Sequence, residues 1–174
     1  MSSPPDGLVL ERHRDLSGRK QYAWLRRGLL GLLTAFLLLG LLNVFGQRPG
    51  TSRASASAAT LTLRGPSRIR GGLLFTERFR IQAVQELKAA TLVLDPGWVE
   101  EMSINTIEPS PLGQGSRDGK LVLTLGHIPA GHTYVLWMQF QVNPTNVGRH
   151  SQDVELDDGP TRITTLHRTM TVFP

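Results

Sequence analysis

The sequence has no cysteine. Disulfide frameworks, thiolate metal sites, cysteine nucleophiles and a lipid-modified N-terminal cysteine are excluded together. Lysine is scarce: three of the 19 basic residues, against 16 arginines. Aromatic residues make up 6% of the chain, and helical periodicity is nearly absent after residue 46. Charged residues are 19% and apolar residues 40% of 174, a balance that excludes wholesale disorder. The length suits one domain of about 100–150 residues with a segment to spare.

That segment is a leucine run. From Gly28 to Phe45 the chain reads GLLGLLTAFLLLGLLNVF, with nine leucines and no charge. A helix of this length spans about 28 Å, close to the hydrocarbon thickness of about 30 Å. No other stretch could surround a helix that is apolar on every face. A transmembrane helix is therefore expected over 28–46, after a basic tail, 1–27. Arg12, Arg14, Arg19, Lys20, Arg26 and Arg27 precede the run, while Arg48 and Arg53 follow it closely. The positive-inside rule then predicts a cytoplasmic N-terminus, a plasma-membrane location and an extracytoplasmic C-terminal part. Tyr22 and Trp24 fall where an interfacial aromatic belt would lie. A cleaved signal peptide is the rival reading. However, its small-residue site, Ala56-Ser57-Ala58, lies more than ten residues past the run, so a retained signal anchor is expected. Gly31 and Ala35 form a small-xxx-small pair, a candidate helix-packing site.

Residues 1–27 carry a net charge of +3 and residues 46–174 a net charge of +2. The pI near 10.4 is thus partly a topology signal. The basic cluster most evident along the outer part is Arg64, Arg68 and Arg70. It is short, so the outer domain is expected to lack the clustered basic face that nucleic-acid binding needs.

Residues 47–59 are small, polar and aperiodic, and read as a flexible tether. From Thr60 onward, short strands alternate with turn residues. Gly72–Val84 places Leu73, Phe75, Phe79, Ile81 and Ala83 on one face, and Glu77 interrupts that face, where a bulge or strand break is expected. Runs at Ala89–Leu94, Met102–Ile107, Lys120–Leu125, Thr133–Val142 and Gln152–Leu156 follow, with a loop from Pro109 to Gly119. The last run, Arg162–Phe173, keeps no single parity, and a bulge near Thr165 would reconcile it. About eight strands with turns every 8–12 residues predict an all-β domain, an immunoglobulin-like antiparallel β-sandwich over 60–174, preceded by the one transmembrane helix. Its expected core is Phe75, Phe79, Ile81, Leu92, Leu94, Leu121, Leu123, Leu136 and Phe140.

The stretch Lys120–Gly148 holds a strand, the turn Ile128-Pro129-Ala130-Gly131, and a long strand ending at Val142-Asn143-Pro144. It resembles bacterial extracellular Ig-like repeats of the DUF11-like and cell-adhesion-related families. The resemblance covers about 30 residues. It implies a seven- or eight-stranded sandwich used for surface display and protein contacts, without catalysis. This chain has a single copy on its own anchor. The excess of arginine over lysine suits a GC-rich bacterial genome.

Motifs for chemistry are weak. His127, His132, His150 and His167 show no metal-ligand spacing. Asp153, Glu155, Asp157 and Asp158 form an acidic run without the EF-hand pattern, and read as a polar strand face. Gly113-Gln114-Gly115-Ser116 is neither a nucleophile elbow nor a phosphate loop. Glu100 and Glu101 would point opposite ways on a strand. No cofactor, metal, nucleic acid or small-molecule substrate is expected. The expected partners are the lipid bilayer and a membrane or envelope protein. The residues read as an accessory or assembly subunit that displays a binding module outside the membrane. Two alternatives stand beside this: a metal-dependent enzyme or sensor using the histidines, and an envelope-glycan binder using Trp98 and Trp137. In Thr133–Val142, one face is wholly apolar and should pack inward. Val135, Trp137, Gln139 and Gln141 are left outside as the candidate partner surface.

Overall fold

A computed structural model of the chain describes residues 20–42, 44 and 47–174. The flanking Arg12, Arg14 and Arg19, and the end of the expected span at Asn43, Phe45 and Gly46, lie outside the described residues. Two compact units are present, Met1–Val44 and Phe45–Pro174.

The first unit contains helix α1, Lys20–Leu41. Within it, Tyr22–Leu41 is long and apolar enough to cross a membrane. The helix starts eight residues before the expected Gly28. Lys20, Arg26 and Arg27 are in its first turns rather than before it, since Lys and Arg are good helix formers. The Arg27 guanidinium lies over Trp24 at 5.8 Å.

The second unit is built from strands: β1 (Pro49–Ser55), β2 (Ala59–Pro66), β3 (Arg68–Arg70), β4 (Leu74–Ala83), β5 (Leu87–Leu94) and β6 (Met102–Glu108). They continue with β7 (Gly113–Arg117), β8 (Lys120–Ile128), β9 (Thr133–Val142), β10 (Gly148–Ser151), β11 (Val154–Asp158), β12 (Thr161–Leu166) and β13 (Thr169–Phe173). A first sheet runs β1-β2-β4-β9-β6 and a second β12-β11-β5-β8-β7. A small third sheet, β10-β13-β3, includes a parallel pair. The fold is an antiparallel β-sandwich preceded by one N-terminal apolar helix.

All nine expected core residues are buried, and they form one cluster with side chains from both large sheets. Trp98 joins them from a short 3-10 turn, Pro96–Trp98. Its ring packs against Phe79 at 5.5 Å and Phe140 at 5.4 Å, and Phe75 stacks on Phe140 at 5.2 Å. The Trp98 indole N–H donates to the Asp153 carbonyl.

Within the second unit, whose described residues form thirteen strands where about eight are expected, the structure also departs from expectation as follows. The expected tether, 47–59, contains β1, which pairs with β2 over its whole length and joins the first sheet. Its alternating small residues fit a strand lying at a sheet edge. The expected loop Pro109–Gly119 contains β7, joined to β8 through Asp118-Gly119. Both turn residues have positive φ, 53° and 76°, which is the Asp-Gly hairpin turn whose twist matches its strands. The final run is two strands in two sheets, broken at His167-Arg168. Its bulge falls at Ile163, opposite Leu156/Asp157 and two residues before the expected Thr165. Finally, Glu77 sits in an unbroken β4 with continuous register to β9, fully buried rather than bulged out.

The packing around Phe79 sets a stability test. Phe79→Ala in the full chain should cost roughly 3–5 kcal/mol, read by chemical denaturation of the sandwich. An unchanged midpoint would contradict the core assignment.

Candidate interaction face and the ion pair beneath it

Strand β9 divides its side chains as the sequence predicts. Leu136, Met138, Phe140 and Val142 are fully buried, and Tyr134 is half-buried at the strand's end. On the opposite face Trp137 is 46% exposed, Gln141 is exposed, and Val135 and Gln139 are half-buried. Trp98, by contrast, is entirely enclosed. It cannot stack on a glycan, so the glycan reading loses one of its two tryptophans.

Register determines what surrounds Trp137. Arg78 on β4 is its direct cross-strand partner, and Arg64 on β2 is the direct partner of Arg78. The Arg78 guanidinium lies over the Trp137 ring at 5.4 Å. One row along, Arg53, Thr62, Arg80 and Val135 are in register across β1, β2, β4 and β9. Four arginines from three strands therefore share the outer face of the first sheet. This corrects the expectation that the outer domain lacks a clustered basic face. The linear trio splits: Arg64 joins this face, while Arg68 and Arg70 are on β3 in the small sheet. The acidic residue in these rows is Glu108 on β6, the partner of Trp137 on the side away from Arg78. A hollow of about 370 Å³ opens here, with Pro49, Arg64, Pro66, Thr76, Arg78 and Trp137 in its walls.

Beneath this face is a buried ion pair. Glu77 lies between Thr76 and Arg78 on β4 and so points to the other side of the sheet. It meets Arg168, whose Nη1 donates to Oε2 at 3.0 Å. Arg168 Nη2 donates to the carbonyls of Gly65 (3.1 Å) and Pro66. Gly65 is a spatial requirement: a Cβ there would come within 1.9 Å of the Glu77 carboxylate. The other carboxylate oxygen, Oε1, has no hydrogen-bond partner among the described residues. Burial pushes the Glu77 carboxyl up to about 7, against the opposing pull of Arg168.

The acidic run is paired in place. Asp153 accepts from the Arg168 backbone N–H (2.9 Å) and contacts His167 Nδ1 at 2.6 Å. Glu155 is paired with Lys120 and Arg162, and Asp157 with Arg117. Hydrogen bonds to Glu155 and then Asp95 raise Lys120 above the usual ammonium range. The Asp158 carboxylate accepts from the Ala89 N–H. His127 meets Glu86 at 2.8 Å, and His132 Nδ1 lies 3.2 Å from the Ala130 carbonyl. Among the described residues no three His, Asp or Glu side chains converge on a point where a metal ion would sit. Gly31 and Ala35 lie one turn apart on α1, both exposed.

No protein-family model matches the chain. No curated protein matches it either. Among solved structures, the solution structure of CaCohA2 from Clostridium acetobutylicum is similar at a TM-score of 0.42 and 13% identity, covering 60% of this chain and 84% of that one. The crystal structure of Spo0M, a sporulation control protein from Bacillus subtilis, has a TM-score of 0.37 and 14% identity. That match covers 70% of this chain and 51% of Spo0M.

The raised carboxyl of Glu77 gives a signed prediction. With its folded value near 7 against 4.5 when unfolded, Glu77 holds its proton more tightly in the folded state. Its contribution to stability is full below 4.5 and is lost as pH rises through 7. Relative to Glu77→Gln, the wild-type melting temperature should fall across that window and level off above it. A pH-independent difference would mean that Arg168 keeps the carboxylate ionised throughout.

Proposed function

We propose that this chain is a single-pass membrane protein whose extracytoplasmic sandwich is a non-catalytic interaction module, an accessory or assembly subunit of a larger membrane or envelope complex. Helix α1 is the anchor and is retained, the N-terminus is cytoplasmic, and Gly31 and Ala35 form the face on which a partner helix packs. The docking surface is the β9 side of the outer face of the first sheet, formed by Val135, Trp137, Gln139 and Gln141. Of this role, the resemblance to bacterial extracellular Ig-like repeats implies the surface display and protein contacts without catalysis.

The observation that carries the reading is Trp137. Large aromatic side chains are enriched at interface centres, where burial of their area is completed by a partner. Trp137 stands half-exposed in the middle of a regular sheet, with Arg78 against its ring and polar glutamines beside it. Arginine and tryptophan are both residue types that dominate interface energetics.

The test is a comparison of membranes carrying wild-type or Trp137→Ser chain. Chemical cross-linking should give a defined stoichiometric complex with wild type and lose it with Trp137→Ser, while both forms melt alike. A serine variant that unfolds would make Trp137 part of the core and end this reading. Reporter fusions at both ends check the orientation, and a C-terminal reporter active in the cytoplasm would overturn it.

A further inference from the structure

The basic rows on the first sheet are unexplained by folding. Arg64 and Arg78 face each other directly across the β2–β4 pair. Like charges in that position oppose strand pairing. Neither has an acidic partner among the described residues, and the same holds for Arg53 and Arg80 on the same face. The second sheet shows the opposite arrangement, with Glu155 matched by Lys120 and Arg162 and Asp157 matched by Arg117. The unmatched arginines leave a positive field over the β1–β4 side of the face, with Glu108 beyond Trp137.

We propose that the hollow between Arg64, Arg78 and Trp137 is an anion site that holds the phosphate of an anionic phospholipid headgroup. The proposal rests on the membrane-anchor reading above. Two guanidinium groups on one rim present planar donor forks, the geometry that binds phosphate oxygens in bidentate fashion. Pro49, Pro66 and the Trp137 ring supply apolar wall against which the glycerol portion of a headgroup lies. Connectivity selects the source of the anion. Gln47, which also lines the hollow, follows Leu41, the last residue of the apolar helix, by six positions. Six residues reach about 20 Å at most when fully extended. Headgroup phosphates are the anions always present at the end of a membrane span, so a site on so short a lead is supplied with them at high local concentration.

The test uses the full chain in neutral maltoside micelles, titrated with dihexanoyl phosphatidylglycerol while the lipid phosphorus resonance is followed. Dihexanoyl phosphatidylcholine, inorganic phosphate and hexaglutamate are run in parallel, the last as a competitor. Phosphatidylglycerol should bind saturably, and phosphatidylcholine at least about tenfold more weakly. Arg64→Gln/Arg78→Gln should weaken phosphatidylglycerol binding by about tenfold or more without lowering the melting temperature. Should that double variant melt lower, Arg64→Gln alone and Arg78→Lys, which keeps the charge but loses the fork, decide the matter by the same loss of binding. Undiminished binding by these variants overturns the site. Tighter binding of inorganic phosphate makes it a small-anion site, and tighter binding of hexaglutamate a protein-docking site; either overturns the lipid assignment. Alkaline carbonate extraction separates the two readings. A chain released from membranes removes the anchor and the lipid source with it, whereas a retained chain with a failed titration removes the site alone.

Discussion

The Arg168 side chain is the constraint around which the sandwich is arranged. It lies where the chain leaves β12 in the second sheet and enters β13 in the small one. Its guanidinium crosses to the first sheet and binds Glu77 on β4 and two carbonyls on β2. Its own backbone N–H is held by the Asp153 carboxylate, and its carbonyl accepts from the Gln152 N–H. Asp153 in turn holds the Trp98 indole through its carbonyl. One buried cation thereby links both large sheets, the small sheet and the aromatic centre of the core. Burying a charged group is tolerated when its donors are satisfied, and removing one partner of such a pair costs about 3–5 kcal/mol because the other is stranded. The Gly65 backbone makes the room that the Glu77 carboxylate needs.

The inner and outer sides of the first sheet thus serve different ends. Inside, a charge pair and an aromatic cluster hold β2, β4 and β9 in fixed register. Outside, that same register brings Arg64, Arg78 and Trp137 into one row. Of the acids of β11, Glu155 and Asp157 are neutralised by the chain's own lysine and arginines and Asp158 accepts from a backbone N–H, so the acidic run is structural. The arginines of the first sheet have no such counterpart among the described residues, which makes them the chemically open part of the molecule.

The fold was legible where a pattern was local. Alternation at Phe75, Phe79 and Ile81, and at Leu121 and Leu123, marked core positions correctly because a strand facing one core repeats every second residue. Trp137 was legible for the same reason, as the odd parity of β9. The basic face was not, since Arg53, Arg64 and the pair Arg78 and Arg80 are separated along the chain and meet only through cross-strand register. Glu77 was misread as a bulge because its partner, Arg168, lies 91 residues away. The hairpin at Asp118-Gly119 did leave a local signal, the turn dipeptide itself, which the glycine- and serine-rich surroundings masked. The strand at Pro49–Ser55 left none, because small polar residues at a sheet edge have the composition of a linker.

The central claim is that the outer face of the first sheet is open in the isolated protein and covered in its native setting. Oxidative footprinting of tryptophan, performed on intact membranes and on the purified full chain, measures this directly. Trp98, enclosed in both settings, serves as the internal reference. The account predicts that Trp137 is oxidised readily in the purified chain and protected in membranes. Equal labelling of Trp137 in both would show that nothing covers this face, and would contradict the account.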